Sequence, residues 1–134
     1  MKAILFVCVA NSARSQMAEG LARALAPADL EIYSAGSQPT WLNPLAVEVM
    51  KEIGIDISRQ AAKGLEIIPV QRIGTVVTLC DGASCPLLPG AARTISWPLA
   101  DPASATGSRL ARRRAFRRTR TILHLRIGRL LDAL

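Results

Sequence analysis

The feature that most constrains the fold is a short apolar run near the start of the chain, from Ala3 to Val9. An unbroken run of this length is typical of a strand covered on both faces, as in a parallel sheet. It is too short to span a membrane, which takes ~20 residues, and it lacks the cleavage site of a signal peptide. After a small polar stretch, apolar residues recur at helical spacing from Met17 to Leu25, before Pro27. The chain therefore opens with a strand, a tight loop and a helix.

The same alternation continues along the chain. Further strands are predicted at Leu30 to Ala35, Thr75 to Leu79 and Arg93 to Trp97. Further helices are predicted from Pro44 to Ile53, with Asn43 as N-cap and Gly54 just past the end, and along the apolar stripe from Phe116 to Leu134. The stretch from Ala61 to Ile73 is ambiguous, with a short helix broken at Pro69 as one interpretation. We expect an α/β three-layer sandwich with a parallel sheet, built as a single domain over residues 1–134.

Positive charge is concentrated at the end of the chain. The net charge is +7 with a pI near 10.4, which taken alone suggests nucleic acid or an acidic membrane as partner. Residues 1–108 have a net charge of −1, whereas residues 109–134 hold nine arginines and one acid. Aromatic residues that could stack on bases are nearly absent. We therefore expect neither nucleic acid nor a membrane as partner, and we interpret the arginines as a solvated helix face.

Three cysteines are present, and they cannot all pair at once. Because no secretion signal accompanies them, structural disulfides of the extracellular kind are not expected. The sequence favours a cytoplasmic protein with thiols available for chemistry.

The loop after the first strand carries the strongest chemical signal. Cys8 ends the strand and Arg14-Ser15 begins the helix, a Cys-X5-Arg-Ser pattern. The loop residues between them are Val9, Ala10, Asn11, Ser12 and Ala13. Backbone N–H groups at a helix N-terminus bind anions and stabilise a thiolate, and arginine is a two-pronged donor for tetrahedral oxyanions. Alone, Cys8 would more often be a small buried hydrophobe, but Arg14 at this spacing favours a nucleophile in an oxyanion cradle.

A second pair of cysteines follows the third strand. Cys80 and Cys85 are separated by four residues including Gly82, close enough to pair if the loop rearranges. The carboxyl ends of neighbouring parallel strands lie side by side, so Cys80 could also approach Cys8. Zinc is the competing interpretation, but this pair and a single His124, expected to be buried in a helix, do not supply four ligands.

Asp101 lies in the loop after the fourth strand, within Trp97-Pro98-Leu99-Ala100-Asp101-Pro102. There it could reach the same crevice and give a proton to a leaving oxygen. Without the two cysteine motifs, a helix cap or an Asp-Pro turn would be at least as good an interpretation.

Together these motifs resemble those of a known family, the arsenate reductases built on the low-molecular-weight tyrosine phosphatase fold. The matching stretches are Cys8 to Gly20, Tyr33 to Gly36, Asn43 to Val47, Gly54 to Ser58, Val77 to Cys80, Trp97 to Ala103 and Phe116-Arg117. The Cys-X5-Arg loop alone would identify only the wider phosphatase-like group, whereas the whole set is specific.

The resemblance implies a four-stranded parallel sheet and a thiol relay without a cofactor or metal. Cys8 attacks arsenate held by the loop amides and Arg14, and Asp101 assists the departing hydroxide. Cys80 then attacks Cys8 and arsenite leaves, after which Cys85 attacks Cys80. The final Cys80–Cys85 disulfide is reduced by thioredoxin; glutaredoxin with glutathione is the alternative reductant, and its use would make Cys85 dispensable. Ser15 and Asn11 hold the thiolate and the loop, and a monomer is expected.

Two departures from the family pattern stand out. Six residues separate the second and third cysteines in the best-known thioredoxin-coupled members, against four here. Some members bind potassium through residues matching Asn11, Glu19 and Ser34 plus an acid, and Lys63 takes the place of that acid. Our hypothesis is that the Lys63 ammonium substitutes for the cation by pairing with Glu19.

The alternative function is that of a low-molecular-weight protein tyrosine phosphatase, which would use Cys8, Arg14 and Asp101 in the same roles. Such enzymes bind a phenyl ring between aromatic walls, usually with tyrosines just after the Asp-Pro. Here Ala103-Ser104 follow, and the one tyrosine, Tyr33, is assigned to a strand. The two further cysteines also have no role in phosphoester hydrolysis.

Overall fold

A computed structural model describes residues 2–81, 85–88, 90 and 93–134. Four strands form one parallel sheet in the order β2-β1-β3-β4. Their bounds are β1 Ala3–Cys8, β2 Ile32–Gly36, β3 Ile73–Thr78 and β4 Arg93–Ser96. The α-helices are α1 Arg14–Leu25, α2 Pro44–Lys51 and α3 Arg109–Asp132. The predicted α/β fold with a four-stranded parallel sheet is confirmed.

The two faces of the sheet are covered differently. Ile4 and Phe6 of β1 share one buried cluster with the apolar faces of α1, α2 and α3. Leu5 and Val7 point to the other face, where they pack with Ile68. That face is covered by two 3-10 turns, Leu65–Ile67 and Val70–Arg72, so the third layer is thinner than the predicted layer of helices.

These turns resolve the segment that was ambiguous in sequence. Pro69 lies between them and has no N–H with which to continue a helix. Each turn instead closes on itself, with Ile68 N–H donating to the Leu65 carbonyl at 3.1 Å and Arg72 N–H to the Pro69 carbonyl at 2.9 Å. The predicted short helix is therefore replaced by two single turns.

Helix α2 begins as the sequence predicts. The Asn43 side chain accepts a hydrogen bond from Leu45 N–H at 2.9 Å, and Pro44 occupies the first turn. The helix ends at Lys51, and Gly54 beyond it has a φ of +79°. This left-handed conformation is the one that favours glycine after a helix.

Helix α3 is fixed by its buried stripe and by a set of ion pairs. Phe116, Leu123, Ile127 and Leu130 are buried as predicted. His124 is exposed because it lies off this buried stripe, so the prediction that it is buried is wrong.

Two glutamates of the α2 segment each receive two arginines of α3, in the pairs Arg109–Glu48, Arg113–Glu48, Arg117–Glu52 and Arg120–Glu52. Four of the nine terminal arginines therefore join two helices, which corrects the interpretation that they are only a solvated face.

Within the described part of the chain, we find no helix both long and apolar enough to cross a bilayer.

Candidate active site

The loop from Cys8 to Arg14 lies at the carboxyl edge of the sheet and is held from outside by the chain after β2. Its carbonyls accept hydrogen bonds from that segment, in the pairs Gln38 N–Val9 O at 2.8 Å, Thr40 N–Ala10 O at 3.1 Å and Asn43 N–Ser12 O at 3.0 Å. In a trans peptide the N–H points opposite to the carbonyl. The N–H groups of Ala10, Asn11 and Ala13 therefore point away from that segment, which is the arrangement an anion cradle requires.

Gly36 permits the close approach of β2 to this loop. A Cβ atom at this position would overlap the Val9 carbonyl oxygen and lie 2.8 Å from the Asn11 nitrogen. Both are backbone atoms, which cannot move aside as a flexible side chain could. A glycine is therefore required where the strand passes the loop.

Cys8 is buried and is the free cysteine of the structure. Its Sγ lies 2.8 Å from Ser15 Oγ. Asn11, with a φ of +48°, donates from Nδ2 to Ser15 Oγ at 2.7 Å and to Ser34 Oγ at 3.0 Å. The structure thus brings the predicted nucleophile, Ser15 and Asn11 into one buried hydrogen-bonded chain.

Arg14 is buried and joins the loop to the ends of two other segments. Its Nη1 donates to the Leu99 carbonyl at 3.1 Å and to the Leu79 carbonyl at 3.5 Å, and its Nη2 lies 3.8 Å from Asp101 Oδ2. Asp101 also accepts from Ala103 N–H at 3.0 Å and so caps the 3-10 turn Pro102–Ser104. The aspartate is therefore both the turn cap and a neighbour of the cradle, so the two interpretations of Asp101 are compatible.

Cys80 and Cys85 form a disulfide, with their Cα atoms 5.4 Å apart. Gly82, which we expected to ease this turn, lies outside the described residues. Leu79, just before Cys80, donates to the Val7 carbonyl at 2.8 Å, so Cys80 and Cys8 follow backbone positions that are hydrogen-bonded to each other. Sulfurs joined in a disulfide do not ligate zinc as thiolates, which removes the zinc alternative for this state.

Lys63 places an ammonium group behind the loop. Its Nζ lies 3.2 Å from Glu19 Oε1, and the predicted pairing of these two side chains is confirmed. Three further oxygens surround it, from Ser34 Oγ at 3.1 Å, the Ala61 carbonyl at 3.1 Å and Asn11 Oδ1 at 3.5 Å. Glu19 is buried and also pairs with Arg23 Nη1 at 2.7 Å.

Gln16 is the polar residue at the site that the sequence analysis missed. Its side chain is fully buried in the first turn of α1 and hydrogen-bonds to Asn11, Ala61 and Gln60. The sequence offers no signal for this role, because Ala61 and Gln60, which bind Gln16, lie far along the chain.

Tyr33 lies within β2, where its hydroxyl donates to Glu31 Oε2 at 2.8 Å. It pairs in register with Leu5, in the middle of the sheet. The residues after Asp101-Pro102, Ala103 and Ser104, are exposed. These positions do not supply the aromatic wall of a tyrosine phosphatase.

The fold and the loop together define a class of protein: a phosphatase-like domain with a cysteine at the end of a parallel strand and an arginine at the start of the following helix. The chain belongs to the low molecular weight phosphotyrosine protein phosphatase family, whose model matches residues 3–134. Membership is thus shown over nearly the whole sequence.

Several relatives are arsenate reductases. One from Shouchella clausii is 41% identical over 133 residues, covering 98% of this chain and 96% of its own. A solved structure of an arsenate reductase in the phosphate binding state superposes with a TM-score of 0.85 at 32% identity, covering 99% of this chain and 98% of its own. A thioredoxin-dependent arsenate reductase of Corynebacterium glutamicum superposes with a TM-score of 0.77 at 28% identity, covering 99% of this chain and 61% of its own.

Proposed function

We propose that the protein is an arsenate reductase that converts arsenate to arsenite through its three cysteines. The observation that carries this proposal is the Cys80–Cys85 disulfide beside a free Cys8 in an oxyanion loop. This is the state that a relay would reach after one turnover, with the nucleophile restored and the oxidising equivalents moved to the other two sulfurs. Phosphoester hydrolysis leaves no such disulfide.

The reaction begins at Cys8. Its thiolate attacks arsenic in an arsenate held by the loop N–H groups and Arg14, and an S–As bond forms as an oxygen leaves with a proton from Asp101. The Cys80 thiolate then attacks Cys8 Sγ. The S–As bonding pair passes to arsenic, which is reduced from As(V) to As(III) and leaves as arsenite, while a Cys8–Cys80 disulfide forms.

The remaining steps restore the nucleophile. The Cys85 thiolate attacks Cys80, which releases Cys8 as a thiolate and gives the Cys80–Cys85 disulfide. An external dithiol then reduces this disulfide. Cys80 is buried and Cys85 is half-buried, which favours attack by the external thiol on Cys85.

Thioredoxin is the proposed electron donor. The name of the Corynebacterium glutamicum relative, thioredoxin-dependent arsenate reductase, supports this choice. The shorter interval between Cys80 and Cys85 keeps glutaredoxin with glutathione as the alternative. A monomer in the cytoplasm, where thiols stay reduced, is part of the same proposal.

The test is arsenite production by the purified chain with each donor system in turn. We expect turnover with thioredoxin and its reductase, and none after Cys8→Ser. Turnover only with glutathione and glutaredoxin would make Cys85 dispensable and change the proposed donor. No arsenite with either system, beside rapid aryl phosphate hydrolysis, would overturn the reductase proposal in favour of the phosphatase.

We further propose that the Lys63 ammonium replaces the potassium ion of some relatives. Its four surrounding oxygens, including the Glu19 carboxylate, form the polar cage that a monovalent cation would otherwise need. Exchanging sodium for potassium should leave the activity unchanged. In Lys63→Ala, activity should fall and be partly restored by potassium or ammonium. Activation of the unaltered chain by potassium would contradict this role.

A further inference from the structure

Gln16 occupies a position that the proposed reaction does not explain. It is a polar side chain with 0% exposure in the first turn of α1, next to Ser15. Burying an amide is costly unless its hydrogen bonds are satisfied. Each polar atom of the Gln16 side chain has a partner, and two of the bonds go to a single residue of the nucleophile loop, Asn11.

The orientation of the Gln16 amide is fixed by backbone groups. Its Nε2 faces the carbonyls of Asn11 at 3.0 Å and Ala61 at 2.9 Å, and carbonyls can only accept. Its Oε1 accepts from Gln60 Nε2 at 2.7 Å, and that nitrogen also donates to the Gln16 carbonyl at 3.0 Å. The Gln16 nitrogen must therefore point toward the loop.

The same reasoning fixes Asn11. Its Oδ1 accepts from Gln16 Nε2 at 2.9 Å and from the backbone N–H of Lys63 at 3.0 Å, with Lys63 Nζ at 3.5 Å. With the oxygen held on this side, Nδ2 has to face the two serines. Gln16 also holds the Asn11 carbonyl. The φ of Asn11 is +48°, a left-handed conformation that asparagine adopts more readily than most side chains.

The direction of the hydrogen bond to Cys8 follows from this. The Asn11 amide gives one hydrogen to Ser15 Oγ at 2.7 Å and the other to Ser34 Oγ at 3.0 Å. Ser15 Oγ is then an acceptor toward Asn11, and its own proton is left for Cys8 Sγ, 2.8 Å away. Ser15 is thereby set to donate to a thiolate.

We propose that Gln16 is a positioning residue for the Cys8 nucleophile. Together with Lys63 it holds the oxygen of Asn11, so that the Asn11 nitrogen faces Ser15 and the Ser15 proton faces the sulfur. Gln16 touches neither the sulfur nor the oxyanion, and it acts only through this chain of hydrogen bonds. The inference requires Cys8 to be a nucleophile, as in the proposed function, but it does not depend on arsenate as the substrate.

The test is a double-mutant cycle read by alkylation of Cys8 with iodoacetamide. The full chain carries Cys80→Ser and Cys85→Ser in every sample, which leaves Cys8 as the one remaining thiol. We expect Ser15→Ala and Gln16→Met each to slow alkylation roughly tenfold, the size of one hydrogen bond to a charged group. The double variant should react at most about threefold more slowly than either single variant, because both substitutions act on the same hydrogen bond from Ser15 to Cys8.

Gln71→Met is the matched control. Gln71 is an exposed glutamine in the 3-10 turn Val70–Arg72 and takes no part in the hydrogen-bonded chain behind Cys8, so the same substitution there should leave alkylation at the parent rate. If Gln16→Met does not fold, as judged by thermal melting, Lys63→Met loosens the same Asn11 oxygen from a half-buried position. That variant should also be non-additive with Ser15→Ala.

Either of two results would overturn the inference. One is a folded Gln16→Met variant that is alkylated at the parent rate. The other is a roughly hundredfold additive loss when Gln16→Met or Lys63→Met is combined with Ser15→Ala. Because the assay contains no arsenate, failure of the reductase proposal would leave both results interpretable.

Discussion

Replacing Glu52 with glutamine tests whether the terminal arginines stabilise the fold. Glu52 follows α2 and receives two hydrogen bonds from Arg117, at 3.0 and 2.6 Å, and one from Arg120 at 2.7 Å. The hydrogen bonds from Arg117 and Arg120 lower the pKa of Glu52 from 4.5 to about 2. Glutamine keeps the size of the side chain and removes its charge, so both ion pairs are lost.

The expected loss of stability is about 1 kcal/mol. A pKa shift of this size in a fully enclosed carboxyl would correspond to roughly 3 kcal/mol of folding stability. The Glu52 side chain, however, is 31% exposed, and solvent screening reduces exposed pairs to about 1 kcal/mol or less each. For a chain of 134 residues this loss would lower the melting temperature by about 4 °C.

The dependence on pH has a definite sign. The folded-state pKa of Glu52 is depressed below its unfolded-state pKa of 4.5. The stability that Glu52 contributes is therefore fully present above pH 4.5 and disappears as the pH falls toward about 2. Urea unfolding of the parent and Glu52→Gln should therefore differ at pH 7 and converge between pH 5 and pH 2. Glu66→Gln, an exposed glutamate outside this cluster, is the control. Equal stability of parent and Glu52→Gln at pH 7 in low salt would refute the reasoning.

Three further predictions concern the site. Cys80→Ser should abolish arsenite production but spare any aryl phosphate hydrolysis, since Cys80 enters only the redox step; equal loss of both rates would contradict the relay. Asp101→Asn should lower kcat about a hundredfold, the usual range for a general acid, and an unchanged kcat would leave Asp101 only as the cap of the turn that follows it. Gly36→Ala should destabilise the fold by about 1–3 kcal/mol, the cost of overpacking. It should also weaken phosphate binding, measured by calorimetry, because the added Cβ would displace the loop backbone. Unaltered phosphate affinity would contradict this displacement.

The parts of this protein that could be predicted from sequence are those with local causes. All four strands were predicted with ends off by at most two residues. β1 and β3 are apolar and β-branched runs, as burial in a parallel sheet requires, whereas β4, whose residues are mostly exposed, was predicted from β propensity. The Cys8 loop was recognisable because its chemistry is compressed into eight consecutive residues. Asn43, Pro44 and Gly54 mark α2 for equally local reasons.

The parts that could not be predicted depend on contacts between distant segments. Gln16 gives no signal of its own, because its role depends on Asn11 and Gln60, which reach it from the loop and from a segment far along the chain. The covering of the second sheet face by 3-10 turns depends on how Pro69 interrupts a segment with no clear periodicity. His124 was expected to be buried from its apolar neighbours, but on α3 it lies off the stripe that faces the core.

The ion pairs of the terminal helix change what the net charge of the chain indicates about its partners. Glu48 and Glu52 are four residues apart, so they project from the same side of the α2 segment. The arginines that meet them follow a spacing of four, four and three along α3, at Arg109, Arg113, Arg117 and Arg120, which also keeps them on one side of that helix. Two carboxylates thus face four guanidinium groups, and this interface keeps a net charge of +2. Part of the excess positive charge therefore belongs to an internal contact between helices, which weakens the net charge as an indicator of an external acidic partner.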